Sequence, residues 1–146
     1  MNIPEKNITI KQTSFKEEMS NIKHIREQVF INEQHVPVEL EWDEYDPDAI
    51  HLIVLDEKHV PIATSRMLSD GHIGRMAVIP EWRTQGIGTA MLLKLINIAK
   101  QHNLEAVFLS AQLEAIDFYK KQGFNVKSDT YMDAGIPHKD MGLNLT

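Results

Sequence analysis

The run Arg83-Thr84-Gln85-Gly86-Ile87-Gly88-Thr89 gathers residue types that can hold a phosphate. Gly86 and Gly88 stand one residue apart where an apolar strand pattern over 73–79 gives way to an apolar helical pattern over 87–100. Glycines at a helix entrance remove Cβ atoms. Several amide N–H groups can then converge on one anion, beside the partial positive charge of the helix N-terminus. A pyrophosphate suits that construction. A P-loop needs Gly-Lys-Ser/Thr, but Gly88 is followed by Thr89-Ala90. The dinucleotide fingerprint asks for a third glycine where Met91 stands, early in a βαβ unit. Neither nucleotide fold fits, which leaves a pyrophosphate cradle of another kind or a plain strand-to-helix turn.

A second group of residues carries charge. A hairpin through Asp70-Gly71 with a two-residue loop sets Ser69 opposite His72, and therefore Arg66 opposite Arg75. Like charges facing each other across a ladder destabilise it. Either an anion lies over them, from the acids Glu33, Glu41, Asp43 and Asp46 or from a ligand, or both guanidiniums bend into solvent. His51, His72 and His138 show nothing that separates them from ordinary histidines, and no metal-ligand spacing is present. Zero cysteines exclude thiolate catalysis and a disulfide framework. Trp42 and Trp82 read as packing residues.

The elements that must position these groups are legible from periodicity. A short strand over 8–12 precedes Ser14 and Glu17, a capping box whose hydroxyl and carboxylate each satisfy an orphan N–H. Phe15, Met19, Ile22, Ile25 and Val29 then predict an amphipathic helix to about residue 32. Periodicity stops between residues 33 and 47, a length of connection that is usually functional. Strands follow over 49–55, 60–68 and 72–79, and the helix over 87–100 ends at Asn103, a left-handed cap. A strand over 104–109 is apolar on both faces, as central strands are. Ser110 is expected to cap a helix that stops at Gly123, and strands over 124–128 and 139–145 complete the chain. The order predicts an α/β (α+β) fold: a mixed, mostly antiparallel sheet of six to seven strands with helices on both faces.

At 146 residues the chain reads as one domain, 1–146, long enough to bury about two-thirds of its unfolded surface. Fifteen Lys and Arg against 21 Asp and Glu give a net charge of −6, which argues against nucleic acid and mildly favours a cationic partner. The start has neither a basic nor an apolar leader region, and no apolar run approaches a membrane span. The expectation is a cytoplasmic protein with no membrane partner.

Three separated motifs, in order, resemble the GNAT acyltransferase superfamily. Residues 83–89 match its [Arg/Gln]-x-x-Gly-x-[Gly/Ala] signature. Gly74-Arg75-Met76-Ala77-Val78-Ile79-Pro80-Glu81-Trp82 looks like the strand that runs into its pyrophosphate loop. Ala115-Ile116-Asp117-Phe118-Tyr119-Lys120-Lys121-Gln122-Gly123-Phe124 looks like its A-x-x-F-Y-x-x-x-G-F element. The run from Arg26 to Pro37, the segment 41–46, His51-Leu52 and Gly135-Ile136-Pro137-His138 resemble a small bacterial branch, the ElaA/YjcF-like proteins. Arg26, Phe30, Trp42, Glu41, Asp43 and Asp46 also resemble the N-terminal part of acyl-homoserine-lactone synthases, which share the fold but are normally longer.

The resemblance implies acyl transfer from acetyl-CoA to a primary amine by direct attack in a ternary complex, without a metal. It implies that the Met76, Ala77 and Val78 backbone pairs with pantetheine and that Arg83, Thr84, Gln85, Gly86, Ile87, Gly88 and Thr89 take the pyrophosphate. Gln112 stands where many relatives place an Asn on the pantetheine arm. Tyr119 stands where many carry the tyrosine credited with protonating the thiolate. Glu33 is a candidate base, and Arg66, Arg75 and His51 are candidates for the acceptor side. Such chemistry needs a free amine, a backbone N–H for the developing oxyanion, and a donor for a thiolate whose pKa resembles that of cysteine, about 8.5. A homodimer is common in the superfamily. Two other readings are an acyl-homoserine-lactone-synthase-like enzyme and a non-catalytic CoA-binding module. The intact glycine loop with Tyr119 argues against the latter.

Overall fold

The computed structural model describes residues 7–35 and 43–146, so Glu41 and Trp42 lie outside the described residues. Strand β1 (Thr9–Thr13) leads into helix α1 (Phe15–Arg26), where the Ser14 hydroxyl accepts the Glu17 N–H at 3.2 Å. Ile22, Ile25 and Val29 of the predicted stripe are buried, whereas Met19 is 41% exposed. The predicted α-helix does not run to residue 32. From Glu27 to Glu33 it widens into a π-helix, with the Gln34 N–H bonded to the Val29 carbonyl at 3.1 Å. π-turns are rare and concentrate at functional sites.

After a 3₁₀ turn (Asp46–Asp48) come β2 (Ile50–Leu55), β3 (Pro61–Met67), β4 (His72–Val78) and helix α2 (Ile87–Gln101). Then follow β5 (Ala106–Gln112), helix α3 (Ile116–Lys121), β6 (Asn125–Val126), β7 (Tyr131–Asp133) and β8 (Ile136–Asn144). They form one sheet of eight strands in the order β1-β2-β3-β4-β5-β8-β6, with β7 also paired to β8. The sheet is mixed and mostly antiparallel, as expected, with β7 beyond the six to seven strands predicted. The last strand begins at Ile136, so Ile136-Pro137-His138 belong to the ladder. Ser110 is not a helix cap: β5 runs through it to Gln112.

Helices cover both faces. Ile53 packs with Ile25 and Val29 on the side of α1 and the π-turn. Its neighbours Leu52 and Val54 point the other way, into the main core with Met91, Leu92 and Leu95 of α2. Asn103 takes the left-handed conformation expected of a cap, at φ 60°.

Two irregularities in β4 set the site. The hairpin before it has a three-residue loop: the Leu68 N–H bonds the His72 carbonyl at 2.8 Å, and Gly71 sits at φ 100°. Arg66 therefore faces Gly74, not Arg75 as the two-residue count predicted. A bulge then absorbs one residue, with Arg75 at φ 51°, and Thr64 opposes Ala77 as that count would have it. The second irregularity is on the other edge. β4 and β5 are parallel and pair only at His72↔Phe108 and Ile73↔Leu109, and beyond them the strands part.

Candidate active site

The glycine loop stands where β4 ends and α2 begins. Gly86, the residue before α2, takes φ 83°, and Thr84 takes φ 63°. Such reversals build concave nests of amide N–H groups that receive anions. A β-branched residue pays a conformational cost in this region, and such strain clusters at functional sites. The loop borders a hollow of about 600 Å³ lined by Val78, Arg83, Thr84, Gly86, Ile87, Gly88 and Thr89, with Trp82, Phe118 and Lys121 beside them. A Cβ on Gly88 would lie 3.7 Å from Phe118 and 3.9 Å from Met76 Sδ, so packing alone does not demand a glycine there. Four expected cofactor contacts are not at this hollow: Met76 and Gln112 border the second cavity described below, and Gln85 and Ala77 border neither. The Gln85 amide turns back to the Glu81 carbonyl at 3.4 Å, and Ala77 is buried under α1 and the π-turn.

The freed edge of β4 adjoins the loop. The Ile79 N–H bonds the Ile62 carbonyl of the preceding hairpin at 3.0 Å. Antiparallel alternation then directs the Ala77 peptide groups at β3 and those of Val78 away from it, into the gap left by β5. The Val78 carbonyl accepts Arg83 Nε at 3.0 Å on that side.

A second cavity of about 600 Å³ opens on the other side of this edge, bounded by Met76, Leu109, Gln112 and Tyr119, by Phe30 and Gln34 from the π-turn, and by the charged groups below. Neighbouring residues of α3 serve both spaces, Phe118 the loop hollow and Tyr119 the cavity. The Tyr119 ring packs edge-on against Phe118 and Phe124, and burial pushes its hydroxyl up to about 12. Gln112 donates to Gln34 Oε1 at 3.0 Å, which ties β5 to the π-turn across the cavity.

One wall of the cavity is ionic. Asp46, 1% exposed, lies 3.0 Å from Arg26 Nη2 and accepts Arg66 Nη1 at 3.1 Å. Asp43 bridges the two arginines singled out by register: Oδ1 accepts Arg66 Nη1 at 2.7 Å and Oδ2 accepts Arg75 Nη2 at 3.1 Å. The bulge, not direct opposition, brings Arg75 to this acid. Burial alone would raise the Asp46 carboxyl, but the hydrogen bond and charge of Arg26, with the Asp43 N–H and Arg66, hold it below the usual carboxylate range.

The opposite wall comes from β5, β7 and β8. Ser110 shares a hydrogen bond with the Tyr131 hydroxyl, which bonds Asp140 Oδ1 at 2.6 Å. His138 lies opposite both Gln112 and Tyr131. Sequence reasoning gave Tyr131 and Asp140 no role, read Ser110 as a helix cap and left His138 undistinguished from ordinary histidines. Only the early start of β8 puts His138 on the same face as Asp140, and alternation within 136–140 was the signal available.

Two candidates are corrected. Both Glu33 oxygens are held by the Arg83 guanidinium, at 2.6 and 2.5 Å, and that hydrogen bond, with the Arg83 charge, keeps the carboxyl low against the opposing effect of burial. A carboxylate so clasped is a poor proton acceptor, and Glu33 does not border the cavity. His51 is fully buried against Phe15, and its Nε2–H donates to the Asp46 carbonyl at 2.9 Å. It braces the acid turn from beneath and reaches no acceptor.

A family model for the acetyltransferase (GNAT) domain matches residues 10–145. The chain is 37% identical over 128 residues to the uncharacterized N-acetyltransferase YjcF of Bacillus subtilis (strain 168), covering 86% of this chain and 91% of that one. Its fold superposes on an acyl-CoA N-acyltransferase from Pseudomonas aeruginosa with a TM-score of 0.84 at 26% identity, over 93% of this chain and 99% of that one. Escherichia coli ElaA gives 0.83 at 23% identity, over the same shares. The parted strands, the loop at the entrance to α2 and these likenesses lead to one conclusion: the chain belongs to the GNAT acetyltransferase family, in its ElaA/YjcF-like branch.

Proposed function

We propose that this protein transfers the acetyl group of acetyl-CoA to a primary amine by direct attack in a ternary complex. The observation that carries the reading is the unpaired edge of β4 between the loop hollow and the cavity that Tyr119 borders. The Thr84–Gly86 reversals suit the pyrophosphate and the positive end of α2 reinforces them. The Val78 peptide edge suits an amide-rich arm, and an N–H on such an edge would stabilise the oxyanion that forms when the amine attacks. Tyr119, buried and protonated across the neutral range, would donate to the departing sulfur. The acceptor would enter the cavity beside Phe30, whose ring face can receive a cation.

The test has two parts. Saturating acetyl-CoA should raise the melting temperature of the wild type, while Gly86→Asp, which adds a side chain at φ 83° and a negative charge in the nest, should abolish the shift. Thiol release from acetyl-CoA should then be followed with spermidine, glucosamine, glycine and a lysine peptide. Absence of a shift in the wild type overturns donor binding, and a shift without turnover on any amine overturns the transfer.

A further inference from the structure

The transfer reading leaves the proton on the attacking nitrogen without a destination. We infer that His138 Nε2 is the proton acceptor for the amine, an assignment that rests on the reading above. His138 borders the acceptor cavity and is only 9% exposed. Two contacts fix its ring. Nδ1 lies 2.7 Å from the Ile136 carbonyl oxygen. A carbonyl can only accept, so Nδ1 carries the hydrogen, and in the neutral ring the lone pair is on Nε2. The Tyr131 ring stacks on the imidazole at 6.1 Å and 21°, and Tyr131 is itself held by Ser110 and Asp140. Nε2 has no hydrogen-bond partner among the described residues and is not sealed from solvent, on a residue that borders the cavity.

The other bases nearby do not match this arrangement. Asp43 is engaged by two guanidiniums, His72 pairs with Asp70 at 2.9 Å on the exposed hairpin, and Asp133 is exposed on β7. His51 has its Nε2–H committed to Asp46 and its Nδ1 sealed beneath α1. Against His138 itself stand the neutral Gln112 and Tyr131, with Asp133 and Asp140 along the same strands.

The step balances without another reactant. The amine nitrogen forms a bond to the thioester carbon, the carbon–sulfur bond breaks and the electron pair leaves on sulfur. One proton passes from nitrogen to His138 Nε2, while Nδ1–H stays on the Ile136 carbonyl. One proton reaches sulfur from the Tyr119 hydroxyl, and the imidazolium proton replaces it through solvent over the cycle.

His138→Gln preserves size and polarity without the base. With the best amine of the panel above it should lose roughly a hundredfold or more in kcat/KM, the scale of lost general-base assistance. Its acetyl-CoA-induced thermal shift should match the wild type, and Asp133→Asn should stay within about twofold of wild-type rate. Free imidazole should restore part of the rate to His138→Ala and none to Tyr119→Phe. Wild-type turnover in His138→Gln overturns the assignment, as does loss of the acetyl-CoA shift together with rate, which would make His138 a packing residue. Two-bond ¹H–¹⁵N spectra provide a readout independent of any acceptor: a neutral ring protonated on Nε2 overturns the assignment. A wild type that binds acetyl-CoA yet turns over no amine fails the transfer reading and takes this proposal with it.

Discussion

Tyr119 and His51 are both held in their electrically neutral forms, and burial is the main cause in each. For Tyr119 the consequence bears on the proposed transfer. A hydroxyl raised to about 12 keeps its proton across the neutral range and could hydrogen-bond it to a nascent thiolate. Tyr119→Phe should lower kcat by roughly ten- to a thousandfold while leaving the acetyl-CoA dissociation constant nearly unchanged, as calorimetry can check. For His51 the consequence is stability. Loss of solvent is the largest cause of its lowered affinity for protons, reinforced by Arg26 and Arg66 and opposed by Asp46. Below about pH 6.5 the unfolded imidazole binds protons that the folded one refuses, so stability falls as pH drops until the folded value is passed. Asp46, depressed in the fold, contributes fully above the unfolded carboxyl value of about 3.9 and is lost as pH falls through its folded value. The melting temperature should therefore decline in two steps on acidification, and His51→Gln should remove the upper one. An unchanged slope between pH 7 and 5 in that variant would count against the assignment. Sequence register, though off by one residue, singled out Arg66 and Arg75 as cations that an acid, a ligand or solvent would have to meet, and the outcome is acidic: Asp43 bridges both and Asp46 meets Arg66. It could not reveal that His51 is sealed under α1 or that Glu33 is clasped by Arg83, because both depend on where α1 and the π-turn lie.

The elements show where local pattern stops being informative. The strands of the first half, β1 to β4, and the α2 entrance were legible because alternation, Gly86 and Gly88 act over a few residues, whereas β7 and the start of β8 were not. The π-turn was not, since the apolar spacing of Ile25 and Val29 is equally compatible with an α-helix and only the i+5 bond distinguishes them. The hairpin was misjudged by one residue, and the reason lies outside it. Gly71 at φ 100° brings its carbonyl to the Phe108 N–H at 3.0 Å, so contact with β5 helps select the three-residue loop. A Cβ on Gly71 would lie 2.7 Å from the Ala106 carbonyl oxygen. Gly71→Ala should therefore cost more than about 1 kcal/mol, from strain at positive φ and collision with backbone. Urea unfolding measures this, and Gly135→Ala is the comparison, since φ there is also positive, at 76°, but its Cβ would meet nothing within 4 Å. Equal losses would show that φ alone governs the cost.

At the scale of the whole molecule, the donor is expected to act as a stabiliser as well as a substrate. A ligand that binds only the folded state adds about 2.7 kcal/mol at a hundredfold excess over its dissociation constant. That increment should appear as a rise in urea midpoint at constant slope, and a changed slope would signal altered compactness instead. The parting of β4 from β5 gives this a mechanical side. Since the two halves of the sheet share only two residue pairs, β1–β4 form one continuous ladder and β5–β8 another, coupled through the packing of α2 and through little of the ladder itself. Such a seam divides the chain into two units whose amides can open to solvent separately. A molecule seated in the seam would clamp them together and slow deuterium uptake on strands of both halves, including strands it never touches.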